Sequence, residues 1–134
     1  MREQFCDYEI AFALKELGFD EECCKYYHYE TLSDFIEEGD LYYFRNSVNK
    51  DDDICSAPLW QQVIDWIREK HDLHIEVDRY TGENGIHIFI GWIYGDFEEE
   101  DVPTDKDYKE SYFEAKRVAI LEAIEVIKNE RTSN

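Results

Sequence analysis

Cysteine and histidine are the residue types in this chain with the clearest capacity for metal binding or nucleophilic catalysis. The chain has four of each, and Cys23 and Cys24 are adjacent rather than spaced as C-x-x-C. Neighbouring residues of a strand point to opposite faces, so this pair does not favour a shared zinc ion, with or without His28. The two residues of a Cys–His catalytic pair must be brought together by the fold, and the positions of these residues in the sequence favour no particular pair. The cysteines are predicted to be free thiols, because a domain of this size and hydrophobic content does not need disulfides.

Carboxylates are the second source of chemistry, because they bind cations and act as general acids and bases. A calcium loop of the helix-loop-helix kind needs alternating acids, a glycine at the sixth position and a terminal glutamate. The contiguous Asp51, Asp52 and Asp53 lack that pattern, and so does the segment Asp105-x-Asp107. With 33 acidic residues in the chain, no pair can be selected for hydrolysis.

The sequence also lacks the motifs of the common enzyme classes. It contains no phosphate-binding loop, no dinucleotide fingerprint, no G-x-S-x-G and no H-E-x-x-H. No catalytic residue, metal ligand or cofactor is therefore assigned. An enzyme of unfamiliar type, using a cysteine, histidine or carboxylate site, stays open as an alternative.

The net charge of the chain is -19, from 33 acidic and 14 basic residues. Direct binding to nucleic acid or to an anionic membrane is not expected, since those surfaces are contacted through clustered Lys and Arg. The acidic excess lies in four tracts, at residues 20–22, 34–40, 51–53 and 98–101. Three interpretations stay open: solubilising loops, a mimic of DNA phosphates, or a surface for a basic protein partner.

Length and composition predict one folded domain over residues 1–134, with residues 131–134 as a frayed tail. The chain is 43% hydrophobic and 16% aromatic, which a disordered acidic chain would not be. No stretch approaches the roughly 20 apolar residues of a membrane span. The first residues carry acids and no apolar core of a signal peptide, so the expected location is the cytoplasm.

Three helices are predicted. The first spans residues 7–17, with Asp7 as N-cap, an apolar stripe from Ile10 to Leu17 and a C-terminal stop at Gly18. The second is capped at Ser56 or Ala57, has Pro58 in its first turn and ends near His71. The third spans residues 108–130, where Ala115, Ala119, Ala123 and Val126 form one line beside Ile120, Ile124 and Ile127.

Two hairpins are predicted between the helices. The first hairpin pairs residues 24–29 with residues 41–47, and a turn is predicted at residues 38–40. In the second, Leu73, Ile75 and Val77 alternate with polar residues, and residues 86–94 return with Ile88, Ile90 and Trp92 on one face. The fold class is therefore α+β in the order helix-hairpin-helix-hairpin-helix, with one four-stranded antiparallel sheet packed against amphipathic helices. The expected core is Trp60, Trp66, Ile75, Val77, Ile88, Ile90, Ile120 and Ile124.

Aromatic residues lie on both faces of the first predicted hairpin, which a sheet with one solvated face does not require. Either a helix covers the second face or these residues form a partner or self-association surface. A homodimer is compatible with the second interpretation. The residues chosen for a partner surface are Tyr43, Trp92, Asp51, Asp52, Asp53, Glu98, Glu99, Glu100 and Asp101.

Three segments carry a resemblance to other proteins. They are SAPLWQQVIDWIREKHDLHIEV at residues 56–77, YEIA with LKELGFD at residues 8–20, and the helix around Glu114-Ala115. Together they resemble a group of small proteins, without an established activity, that phages, prophages and mobile elements of gut bacteria carry. The resemblance implies a cytoplasmic accessory protein of phage or mobile-element origin. The expected function is non-enzymatic protein binding, and the alternative is an acidic DNA mimic that inhibits a nucleic-acid-binding protein.

Overall fold

The chain has an α+β fold with antiparallel sheets, seen in a computed structural model. It divides into two compact units, Met1–Val63 and Ile64–Asn134. The expectation of a single domain over residues 1–134, with a frayed tail at residues 131–134, stays a prediction. The structure describes residues 4–34, 36–37, 40–41, 44–48, 51–81, 85, 87–95, 102–103 and 111–132.

The first unit combines one helix with short strands. Strand β1 is central in a three-stranded antiparallel sheet of order β2-β1-β5, and β3 and β4 form a separate two-stranded ribbon. A single 3-10 turn, Asn46–Val48, precedes β5. The elements are α1 (Tyr8–Glu16), β1 (Lys25–His28), β2 (Thr31–Asp34), β3 (Ile36–Glu37), β4 (Asp40–Leu41) and β5 (Ile54–Ser56).

The second unit is built from longer elements. Helix α2 begins in the first unit and ends in the second, and the strands that follow form an antiparallel sheet of order β6-β7-β8. Strands β6 and β7 pair over all nine of their residues. The elements are α2 (Trp60–His71), β6 (Leu73–Thr81), β7 (His87–Gly95), β8 (Val102–Pro103) and α3 (Tyr112–Thr132).

The predicted order helix-hairpin-helix-hairpin-helix is wrong. Five strands precede α2, and the described strands form three sheets rather than one four-stranded sheet. Of the predicted pairing of residues 24–29 with 41–47, the described residues show no ladder and a single bridge next to it, between Cys23 and Phe44. Strand β1 instead pairs with β2 and β5. The sequence hides both partners, because Tyr29-Glu30 carries no glycine or asparagine turn signal and β5 is too short to show alternation.

The prediction for the first helix is confirmed. Asp7 Oδ1 accepts a hydrogen bond from the N–H of Ile10 at 3.1 Å, which caps the helix. Gly18, with φ +95°, follows its C-terminal turn. Ile10, Leu14 and Leu17 are buried, as the stripe predicted.

The predicted start of the second helix is wrong by several residues. Ser56 ends β5, and the carbonyl of Pro58 accepts a hydrogen bond from the N–H of Cys6 at 2.9 Å, so the segment before α2 belongs to the core of the first unit. The helix begins at Trp60. On this helix Trp60, Val63, Trp66 and Ile67 are all buried, whereas Leu59 just before it is exposed.

The β6–β7 register decides which residues share a face. Ile75 lies opposite Ile93, and Val77 lies opposite Gly91. Because directly opposed residues point to the same side, Ile75 and Ile90 lie on opposite faces of the sheet rather than in the one core predicted. Of the expected core, Trp60, Trp66, Ile90, Ile120 and Ile124 are buried, whereas Ile75, Val77 and Ile88 are only half-buried.

Helix α3 covers the odd-numbered face of β7. The ring of Phe89 meets that of Tyr112 edge-on, with centroids 6.1 Å apart, and Gly91 is on the same side of the strand. Small buried side chains on the helix allow this close approach, namely Ala115, Ala119 and Ala123. In the part of the chain that the structure describes, no helix is long and apolar enough to cross a membrane.

Candidate functional site

The residues predicted for a partner surface fall in different parts of the chain. Asp51, Asp52 and Asp53 directly precede β5 in the first unit, and Trp92 lies in β7 of the second. The other predicted residues, Tyr43 and Glu98 to Asp101, lie outside the described residues.

A two-residue loop at the tip of the β1–β2 hairpin brings Asp53 together with residues that the sequence prediction had not selected. His28 pairs with Thr31 across the hairpin, so only Tyr29 and Glu30 lie in the loop. Tyr29 has φ +53°, a conformation that favours glycine and costs another residue about 1–2 kcal/mol. Its side chain is nevertheless 62% exposed. We name His28, Tyr29, Glu30 and Asp53 the Tyr29 corner.

Hydrogen bonds to Asp53 hold the backbone of the Tyr29 corner. The N–H of Tyr29 donates to the carbonyl of Asp53 at 2.7 Å. The His28 ring donates through Nε2 to Asp53 Oδ2 at 3.1 Å, and the His28 and Tyr29 rings stack with centroids 4.9 Å apart. The corner thus presents an exposed tyrosine in a defined orientation.

The Tyr29 corner carries two carboxylates, those of Glu30 and Asp53. Partial desolvation raises the pKa of Asp53, but hydrogen bonds from its own N–H and from the side chains of His28 and Tyr29 outweigh it and hold the pKa below 3.8. Burial, followed by nearby groups that include Glu30 and Asp53, raises the pKa of the Tyr8 hydroxyl. Asp53 is therefore a carboxylate at neutral pH, and the corner favours a cationic group.

Side chains of the first unit anchor the segment that carries Asp53. Lys15 Nζ donates to the carbonyl of Asp51 at 2.6 Å and to that of Ile54 at 2.5 Å. The buried Asn46 donates to the carbonyl of Phe19 at 2.7 Å and accepts from the N–H of Ser56 at 2.8 Å. These contacts fix both ends of β5 and hence the position of Asp53.

The four cysteines are free, and three of them are buried. Burial chiefly raises the pKa of Cys23 to about 12 and that of Cys55 to about 11, and it raises the pKa of Cys6 further. These three thiols therefore stay protonated at neutral pH and are poor nucleophiles. Cys24 is exposed. Among the described residues, no group of three or more His, Cys, Asp or Glu has an arrangement suited to a metal ion.

A shallow cleft of about 370 Å³ lies beside the 3-10 turn. Its polar lining is already engaged: Asp20 Oδ1 accepts from the N–H of Ser47 at 2.7 Å, and Lys15 and Asn46 make the hydrogen bonds described above. These groups are committed to the fold, which leaves little for a ligand. The lining residues are Lys15, Gly18, Phe19, Asp20, Asn46 and Ser47.

Trp92 is half-buried, and its indole Nε1 is buried without a hydrogen-bond acceptor among the described residues. Its neighbour on the same face, Tyr94, donates its hydroxyl to Glu76 Oε1 at 2.6 Å and stacks on His74 with centroids 5.1 Å apart. Trp92 offers less exposed aromatic surface than Tyr29, so the Tyr29 corner is the stronger candidate.

Sequence reasoning selected Asp53, counted Tyr29 among the aromatic residues of the first hairpin without choosing it as a site residue, and missed His28. The signal that could have found them is weak, because a turn at Tyr29-Glu30 has no characteristic residue type. Comparisons of this chain with family models, with curated proteins and with solved structures find no match.

Proposed function

We propose that this chain is a non-enzymatic, cytoplasmic binding protein whose Tyr29 corner docks on a basic surface of a protein partner. The observation that carries the proposal is the exposed tyrosine held at φ +53°. Residues in sparsely populated backbone conformations cluster at functional sites, where the surrounding structure holds them. An accessory protein of a phage or mobile element, as the resemblance implies, would act through such a contact.

The chemistry of the Tyr29 corner supports a basic partner. Tyrosine is among the residues most favoured as interface anchors, since it buries a large area with few rotatable bonds. Asp53 and Glu30 flank it, and residues 1–55 carry 15 acidic and 5 basic side chains, a net charge of -10 (5 minus 15). That field would steer a cationic surface toward the corner and repel an anionic one.

The test is a pull-down from a lysate of the source organism with three baits: wild type, Tyr29→Ala and Tyr112→Ala. Tyr112 is a matched control, because it is 52% exposed but lies in the second unit. The proposal expects a protein that wild type and Tyr112→Ala retain and Tyr29→Ala loses by at least about tenfold, as for an interface hot spot. Equal capture by all three baits would overturn it.

Stepped salt washes separate this proposal from DNA mimicry. Interactions between exposed charges weaken as ionic strength rises, whereas an aromatic anchor in an apolar pocket does not depend on salt in the same way. A nucleic-acid-binding protein that moderate salt or added duplex DNA releases, and that Tyr29→Ala retains, would favour the mimic.

A further inference from the structure

The two edges of the β2-β1-β5 sheet differ in whether their outward backbone groups are satisfied. In an antiparallel ladder, alternate residues point both N–H and C=O toward the same neighbouring strand. Two hydrogen bonds establish the alternation here: Ala57 N–H to Lys25 C=O at 3.0 Å, and Tyr29 N–H to Asp53 C=O at 2.7 Å. Lys25 and Tyr29 therefore point toward β5.

The residues between them on β1 must point the other way, toward β2. Tyr26 lies opposite Ser33, and His28 lies opposite Thr31, so Ser33 and Thr31 are the β2 residues that bond to β1. It follows that Leu32 and Asp34 direct their N–H and C=O groups away from the sheet. In the described part of the chain, neither backbone has a hydrogen-bond partner on that side.

The opposite edge of the sheet is closed by the protein itself. The outward N–H of Ser56 donates to Asn46 Oδ1 at 2.8 Å, and the outward carbonyl of Ile54 accepts from Lys15 Nζ. The N–H of Ile54 donates to the carbonyl of Asp51 at 3.2 Å. Natural proteins usually cover or cap an exposed edge strand, because it is a template for strand addition. Here β5 is capped, whereas none of the residues that the structure describes caps the outer edge of β2.

We propose that the open edge of β2 receives an extended segment of the partner, rich in Lys and Arg, as an added β-strand. This inference rests on the proposed function and gives the way in which the partner is held. Leu32 and Asp34 supply two donors and two acceptors, which is the main-chain pairing that strand addition uses. Charge selects the occupant: Thr31 and Asp34 are exposed, and the carboxylates of Glu30 and Asp34 stand at the two ends of the edge.

A second copy of this chain is a poorer occupant of the same edge. Pairing two copies through β2 would bring Glu30 and Asp34 of both copies together along four residues, and like charges across a strand pair are destabilising. Among the described residues, Asp34 has one ion-pair partner, Lys25 of its own chain, at 2.6 Å. A cationic segment would meet no such repulsion.

The first test uses a defined probe, a peptide of alternating lysine and valine about ten residues long, and the full chain. The expected result is that the amide protons of Leu32 and Asp34 exchange at least about tenfold more slowly when the peptide is bound, since each gains a hydrogen bond. The amides of Thr31 and Ser33, which already bond to β1, should not change. Protection of neither Leu32 nor Asp34 would overturn the inference.

The second test removes the main-chain hydrogen bonds and leaves the charge. The same peptide N-methylated at every backbone nitrogen should bind at least about tenfold more weakly, because it cannot donate. Leu32→Pro should weaken binding of the unmodified peptide similarly, since proline is tolerated on an outward edge position but has no N–H. Leu32→Val keeps the N–H and should bind as wild type does. Circular dichroism of both variants shows whether the fold is retained.

The outcomes distinguish this inference from the proposed function. Suppose that both peptides bind equally well, that the variants keep their fold, and that capture of the partner still depends on Tyr29. This result would overturn strand addition, and the proposed protein-binding function would be unaffected. If, in addition, Tyr29→Ala captured the same proteins as wild type does, both strand addition and the proposed function would be overturned. A third outcome would also overturn the inference: the chain forms a concentration-dependent dimer, Leu32→Pro abolishes that dimer, and the peptide does not compete with it. In that case the occupant of the β2 edge would be a second copy of this chain.

Discussion

The two units of this chain use different means to hold their strands. In the first unit, side chains bond to the backbone at the ends of short strands: Asn46 and Lys15 at β5, and the hydroxyl of Tyr27 to the carbonyl of Cys6 at 2.6 Å. In the second unit, β6 and β7 pair over nine residues, and α3 buries a continuous apolar face. Both units bury apolar side chains, but the short strands of the first unit also rely on individual side-chain hydrogen bonds at their ends, whereas the long strands of the second rely on their own ladder.

This difference bears on where a function can reside. Among the described residues, each unit holds one non-glycine residue at positive φ, Tyr29 (φ +53°) in the first and Asp72 (φ +55°) in the second. Tyr29 is the one of the two with a large aromatic side chain at the surface, which suits it to a contact with a partner. The exposed thiol and the three buried thiols all lie in the first unit, so alkylation reports on that unit alone.

The largest effect is expected in the apolar layer of the second unit. Ile120 has no exposed surface, and Ile120→Ala should lower the free energy of unfolding by about 2–5 kcal/mol through lost burial and a cavity. Urea denaturation followed by circular dichroism measures this change. Glu122→Ala, at an exposed position of the same helix, should change it by less than about 0.5 kcal/mol. A similar small change for both variants would show that α3 is not packed as described.

In the first unit, one buried amide should matter nearly as much. Asn46→Ala leaves the carbonyl of Phe19 and the N–H of Ser56 without their partner, and both residues are at most 1% exposed. The expected loss of unfolding free energy is at least about 2 kcal/mol, since each of the two unsatisfied groups costs at least about 1 kcal/mol.

Alkylation of the thiols followed by mass spectrometry localises that loss. In wild type, Cys24 should react quickly with iodoacetamide and the buried Cys6, Cys23 and Cys55 only on opening. Asn46→Ala should speed labelling of Cys55, whereas Ser47→Ala, its exposed neighbour, should not. If Cys55 were labelled at the same rate in Asn46→Ala as in wild type, Asn46 would not be what anchors β5.

The order of stability of a glycine variant and an alanine variant should differ between a position in the first unit and a position in the second. At Tyr29, with φ +53°, the glycine variant should be more stable than the alanine variant by about 1 kcal/mol, because only glycine adopts this conformation freely. At Glu122, inside α3, alanine should be the more stable by about 1 kcal/mol. Thermal denaturation of the four variants gives both differences. The same rank at both sites would mean that Tyr29 is not strained.

The smallest effect is a pH dependence at the Tyr29 corner. The pKa of Asp53 is lowered below 3.8 in the folded protein, so its stabilising contribution is present above the unfolded-state pKa and is lost as pH falls through the folded-state pKa. The stability difference between wild type and Asp53→Asn should therefore shrink below about pH 4. When His28 is also replaced by Asn, the stability difference between chains with Asp53 and chains with Asp53→Asn should be smaller at neutral pH, because the hydrogen bond from His28 to Asp53 is absent. Thermal melts across pH measure both, and a difference independent of pH would contradict the assignment.

Local patterns predicted the elements that are long or capped. Asp7 and Gly18 marked the ends of α1, the predicted end of α2 near His71 was correct, and alternation located β6 and β7. Each of these depends on residues close together in the chain. The candidate site was predicted only through Asp53, because proximity of His28 and Tyr29 to it depends on a strand pairing about 25 residues apart in sequence.

By itself, then, the sequence determined the class of the fold, the three helices and the acidic character, since composition and periodicity act through local propensity and burial. The tertiary structure alone decided which strands pair, which face of β7 meets α3, and that Tyr29 lies in a strained two-residue loop. The physical reason is that β-pairing joins distant segments, and its register places each side chain on one face or the other. A one-residue shift there would move the same residues to the opposite surface.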